Sequence, residues 1–230
     1  MQLSELNNQY QNNQPFPHIV IDDAFNIDMV REVEGELSGF SDWDGEKSFF
    51  GSIKKRHCSN LNKLPPTTCL LLNYLNSSDF LLSLESLTGI TGLIPDPYFF
   101  GGGVHSIIRG GFLKIHADFN WHNKLLLHRR INLLLYLNSE WDQSWGGALE
   151  LWDAKMEKKR VEILPIINRM VIFNTTDHSY HGHPEPLKCP ENKARNSIAL
   201  YYYSSSRPEN EVTRGKSTQT DYRPRMPGEF

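Results

Sequence analysis

The chain is poor in cysteine. Cys58, Cys69 and Cys189 are odd in number and far apart, which argues against a disulfide framework and for a reducing, cytoplasmic setting. No two of them have the CxxC spacing of a zinc site. There is no apolar run long enough to span a bilayer, so no membrane association is expected. The start, Met1 to Asn8, is polar and lacks the apolar stretch of a signal peptide. Positive charge is not in excess: the formal net charge of −3 gives no general attraction to nucleic acid or anionic membrane. Internal repeats are also missing. Apolar and aromatic side chains are plentiful, at 39% and 11% of 230 residues. That is enough to bury a sizeable core in one domain.

Periodicity divides the chain into three stretches. Residues 1–97 read as an N-terminal strand with supporting helices. The first 16 residues, rich in Asn and Gln, suggest a loose or helical arm, and residues 17–23 suggest a strand. Asn26 or Asp28 caps a helix to about Leu37, with Val30, Val33 and Leu37 at helical spacing. Residues 38–62 carry Gly, Ser, Asp and Lys and read as irregular, with Lys54 to Cys58 as a surface segment. An apolar run from Pro65 to Leu75 fits a buried helix, and Ser77 or Ser78 opens another that ends near Gly89. From residue 98 to 206 the texture is short strands with glycine turns. Strands are expected at 104–108, 112–118, 131–138, 148–152, 160–164, 170–174 and 197–203. Residues 207–230, charged and with three prolines, read as an extended tail over the surface. The expected class is mainly β with flanking helices (α+β), built as a sandwich or jelly roll.

The strand 112–118 holds His116 and Asp118. Residues at i and i+2 point to one face of a strand, so one imidazole and one carboxylate converge. A third ligand would complete a two-histidine, one-carboxylate set, which suits Fe(II) with open coordination positions. His181 and His183 follow the strand 170–174. His181 is preferred because Gly182 beside it permits close approach; His183 is its competitor. Arg195 enters an apolar strand, where a lone guanidinium is costly and a carboxylate is its natural partner. Ser197 shares its face and can add a hydroxyl.

The set His116-x-Asp118, His181 and Arg195 resembles the Fe(II)/2-oxoglutarate-dependent dioxygenase superfamily. Arg130 to Asn138, then Trp141 and Gly146 to Leu151, is similar to its prolyl 4-hydroxylase-like branch, as is the opening Pro15 to Asp23. The resemblance implies a double-stranded β-helix with a metal near one open end. It implies Fe(II) on His116, Asp118 and His181, 2-oxoglutarate and O2 as cosubstrates, and ascorbate as reductant. It places the distal carboxylate of 2-oxoglutarate on Arg195, with the Tyr136 hydroxyl against it. The implied reaction hydroxylates an unactivated C–H bond and releases succinate and CO2. A prolyl residue in a peptide or a small molecule are both fitting substrates. Two features depart from the branch: a long segment between His181 and Arg195, and Ile107 where prolyl hydroxylases often carry a tyrosine.

Other functions fit less well. Asp118 argues against a halogenase, which needs its carboxylate position free for halide. A zinc hydrolase or cupin-like metal protein has no evident use for Arg195. A non-catalytic binding module would be expected to have lost a ligand. Asn120, Trp121 and Trp152 are the candidates for substrate contact. His122, Lys124, Arg129 and Arg130 read as a solvated loop and strand edge, and His105 as a satisfied histidine.

Overall fold

The computed structural model describes residues 3–211, 213–226, 228 and 229. Its strands are β1 (His18–Ile21), β2 (Gly45–Phe49), β3 (Ser52–Cys58), β4 (Ile94–Pro95), β5 (Gly103–Ala117), β6 (Trp121–His122) and β7 (Leu127–Tyr136). They continue as β8 (Leu149–Trp152), β9 (Lys159–Ile163), β10 (Met170–Asn174), β11 (His181–His183), β12 (Ala194–Ser204) and β13 (Asp221–Tyr222). The helices are α1 (Asn7–Asn12), α2 (Ile27–Ser38), α3 (Pro66–Leu75) and α4 (Ser78–Thr88). The Asn26 side chain caps α2 by accepting from the Asp28 amide at 2.8 Å, as its residue type predicts. Ser77 caps α4 in the same way.

The strands run antiparallel in the order β1-β10-β7-β12-β5-β11-β8-β9 and form a nearly closed, jelly-roll barrel. The alternation of side chains along each strand decides the layers. On β7, Ile131, Leu133 and Leu135 face outward into a core shared with Val30, Val33, Leu72 and Leu84 of the helices. Leu134 and Tyr136 face inward, against Leu149, Leu151, Val171 and Phe173. The helices therefore cover one outer face of the barrel, and the opposite register lines its interior. Among the described residues no helix is long and apolar enough to cross a membrane.

Three expectations are corrected. The two strands at 104–108 and 112–118 are one strand, β5, with Gly110 at φ +80° between its halves. Its first half pairs with β12, and its end pairs with β11. Residues 38–62 are not irregular: they contain the hairpin β2–β3, whose second strand pairs with β5. This hairpin is polar because one face meets water, which hid its alternation. The tail does not merely cross the surface either. Asp221 and Tyr222 pair with Ala117 and His116 and extend the sheet at the end of β5.

Candidate metal and cosubstrate site

β5 and β11 pair so that His181 stands directly opposite His116. Asp118 follows β5 by one residue. One ligand atom from each of the three lies within 4.8 Å of the others, and all three are buried. Gly182 makes this pairing possible: a Cβ there would sit 2.7 Å from the Lys114 carbonyl and 2.8 Å from that of Leu113. The register shifts after His181, and His183 pairs with Leu113 instead. His183 is therefore outside the group of three.

Both imidazoles are oriented by the backbone. His116 Nδ1 donates to the Lys114 carbonyl at 2.8 Å, and His181 Nδ1 to the Ser179 carbonyl at 2.9 Å. The proton is thereby fixed on Nδ1, and Nε2 presents a lone pair. These Nε2 atoms face the two oxygens of Asp118 at 3.5 and 3.4 Å. Burial holds the His181 pKa down to about 4, against the raising pull of Asp118. Lone pairs of neutral imidazole and carboxylate so placed repel unless a cation lies among them. The residues fit a divalent metal of the Fe(II) type with three protein ligands.

Asp118 is held charged. Burial alone would raise its pKa, but the Arg129 guanidinium brings it well below the usual carboxylate range. Arg129 Nη2 donates to Asp118 Oδ2 at 2.9 Å, and Asn132 Nδ2 donates to the same oxygen at 2.6 Å. The guanidinium lies over the rings of Tyr201 and Phe119, at 3.4 and 4.4 Å from their centroids, and is 1% exposed. Arg129 is thus no solvated loop residue. It lies near the start of β7 with its side chain turned into the cavity, and its distance in sequence from Asp118 concealed the pair.

His116, Asp118 and His181 border a cavity of about 280 Å³ that Arg195, Ser197, His183 and Lys55 also line. Arg195 Nε donates to the Gly147 carbonyl at 2.7 Å, and Nη2 donates to the Tyr136 hydroxyl at 3.1 Å. Gly147 sits at φ +76°, and a Cβ on it would meet Arg195 Cδ at 3.1 Å. Arg195 is buried, yet among the described residues no carboxylate lies within ion-pair distance of it. Both ring nitrogens of His183 are likewise buried without a hydrogen-bond partner. The cavity thus holds polar groups that no other described residue fully satisfies.

Asn120, Trp121 and Trp152 lie outside this cavity's lining. Asn120 is wholly buried and ties down the tail: it donates to Asp177 and to the Gly215 carbonyl, and accepts from the Ser217 amide. Trp121 lies under Lys216, whose Nζ is 3.8 Å from its ring. Trp152 packs with Ile115, Ala117 and Tyr180, and its indole donates to Glu150. The basic stretch expected at the surface is β3, and its Lys55 turns into the cavity.

The model of the 2OG-Fe(II) oxygenase superfamily matches residues 102–203, from the start of β5 to the end of β12. The matched stretch takes in His116, Asp118, His181, Arg195 and Ser197. A Mus musculus protein, prolyl 3-hydroxylase OGFOD1, is 34% identical over an alignment of 100 residues that covers 39% of this chain and 18% of that protein. Among solved structures, a Pseudomonas putida prolyl-4-hydroxylase superposes with a TM-score of 0.63 at 14% identity, covering 89% of this chain and 100% of that one. A Trichoplax adhaerens prolyl hydroxylase, solved with a peptide fragment of the hypoxia inducible factor oxygen degradation domain, gives 0.62 at 22% identity, covering 88% and 89%. At these identities the two structures bear on the fold, which they share with this chain. The oxygenase superfamily draws on Fe(II), 2-oxoglutarate and O2, and the donor set described above fits the metal.

Proposed function

We propose that the protein is an Fe(II)- and 2-oxoglutarate-dependent dioxygenase that hydroxylates an unactivated C–H bond and releases succinate and CO2. The observation that carries this reading is Arg195: a buried guanidinium without a carboxylate partner, in the same cavity as two histidines and an aspartate. Bound there, the metal would supply the oxidising chemistry with O2. His116, Asp118 and His181 hold it and leave positions free for cosubstrate and oxygen. Arg195, braced by Gly147 and Tyr136, takes the distal carboxylate of 2-oxoglutarate, and Ser197 adds a hydroxyl from the same strand face. The apolar wall of Leu134, Leu149 and Ala199 excludes water from the cosubstrate. Prolyl hydroxylases are among the relatives, so a prolyl residue in a peptide is one substrate class; a small molecule is the other.

Anaerobic addition of Fe(II) and 2-oxoglutarate should produce a weak visible charge-transfer band, and air should then yield succinate. Arg195→Met should retain metal and weaken 2-oxoglutarate binding by about 100-fold, the scale of a lost buried charge pair. An Asp118→Ala variant with the wild-type band and metal stoichiometry would defeat the proposal.

A further inference from the structure

The hairpin β2–β3 carries two rows of side chains, and they differ in charge. In one row Glu46 stands opposite Arg56, and the two form an ion pair at 3.5 Å. In the other, Lys47 stands opposite Lys55, and both border the cavity. Like charges directly opposed on paired strands are destabilising. Among the described residues no carboxylate lies within ion-pair distance of either lysine. Asp118 is the one carboxylate in the cavity lining, and Arg129 already occupies it. Burial, then Lys47, brings the Lys55 ammonium down to about 7; Arg195 and Arg129 add to this against the opposing pull of Asp118.

Position separates this pair from Arg195. Lys55 and Arg195 are the neighbours of Ile107 on its two sides, Lys55 on β3 and Arg195 on β12. They are two strand spacings apart, roughly 10 Å, with the Ile107 side chain between them, packed against Trp141 and Leu187. Lys47 is exposed and stands on the outer strand of the hairpin. The lysine pair therefore lies on the solvent side of the cavity, where a second molecule enters. We propose that Lys47 and Lys55 form an oxyanion subsite for the substrate, so that the molecule hydroxylated carries a carboxylate or phosphate group near the reacting carbon. This rests on the reading of Arg195 as the cosubstrate anchor.

Calorimetric titration of the Mn(II)-loaded protein with inorganic phosphate, acetate and 2-oxoglutarate tests it. With 2-oxoglutarate saturating, phosphate or acetate should still bind. Lys55→Met should weaken that binding about tenfold, the scale of one charge-assisted hydrogen bond, and Lys47→Met should weaken it less. Both variants should leave the 2-oxoglutarate constant within twofold. The metal-free Lys55→Met protein should melt no lower than wild type, because a repulsion has been removed. Three results would overturn the subsite: anion binding indifferent to both variants, a loss of 2-oxoglutarate affinity in Lys55→Met equal to that in Arg195→Met, or a lower melting temperature in Lys55→Met. Failure of the wild type to bind 2-oxoglutarate while phosphate still binds through the lysines would instead defeat the dioxygenase reading.

Discussion

Asp118 can serve as a metal ligand because Arg129 keeps it ionised. One of its oxygens takes two hydrogen bonds, from Arg129 and Asn132, while both oxygens also face the histidines. Asn132 in turn accepts from Arg129, so the three side chains brace one another. Arg129→Met removes one partner of a buried pair and leaves the carboxylate uncompensated, at a cost of about 3–5 kcal/mol. The metal-free variant should melt markedly lower than wild type. Its Asp118 pKa should rise, so Mn(II) binding should need a higher pH; a titration of Mn(II) affinity against pH reads that shift, and an unchanged profile would exclude the role. At this scale the cluster of His116, Asp118 and His181 beside Arg195 was legible in the sequence: His-x-Asp on a strand, a later histidine and an arginine in an apolar strand each carry their own pattern. Arg129 was not, because an arginine at the start of a strand looks the same whether it faces solvent or a carboxylate folded back onto it.

Pairing of elements turns separate residues into a site. β11 is three residues long and has neither length nor pattern enough to be read as a strand; it is ordered by its neighbours β5 and β8. Gly182→Val should push β11 away from β5, since the Lys114 carbonyl leaves no room for a Cβ. Metal stoichiometry should fall with the barrel intact, which far-UV circular dichroism and metal analysis would separate. The tail is a second such element. Arg214 donates to the Asp118 carbonyl at 2.8 Å, Tyr222 lies 5.4 Å from the His116 ring, and Asn120 and Asp177 anchor the chain between. Asn120→Ala should release it: proteolysis after residue 206 should speed up, and bound Mn(II) should exchange with EDTA about tenfold faster, the usual range for disturbing groups around a metal's ligands. Retained protection in that variant would mean that Asn120 does not hold the tail. The helices and long strands followed from periodicity, because one face of each is buried in a continuous apolar core. The hairpin β2–β3 and the tail escaped notice because their partners, and not their own composition, make them strands.

Over the whole molecule, the cavity concentrates groups that folding keeps from their preferred protonation state, and this sets how stability depends on pH. Burial pulls His105 and His183 well below the ordinary histidine value and His181 to about 4. In the unfolded chain these imidazoles take up protons near pH 6.5. Between there and pH 4 the unfolded state binds more protons than the fold, so stability is complete above pH 6.5 and is lost as pH falls through that window. His181 alone contributes about 3 kcal/mol to the loss at most. Lys55 acts on the alkaline side. Its folded value of about 7 lies below that of a free lysine, so the metal-free protein gains stability as pH rises from 7 toward 10.5. Urea unfolding of the metal-free protein should therefore give a midpoint that climbs from pH 5 to pH 7 and continues to climb to pH 9. Lys55→Met should flatten the upper part alone. Saturating Mn(II) should raise the midpoint and make the lower part at least as steep, because the metal binds only neutral imidazoles, so the folded state stays unprotonated there while the unfolded chain takes up protons. A midpoint that falls between pH 7 and 9 in the wild type would show that Lys55 is solvated and that the cavity does not confine its charge.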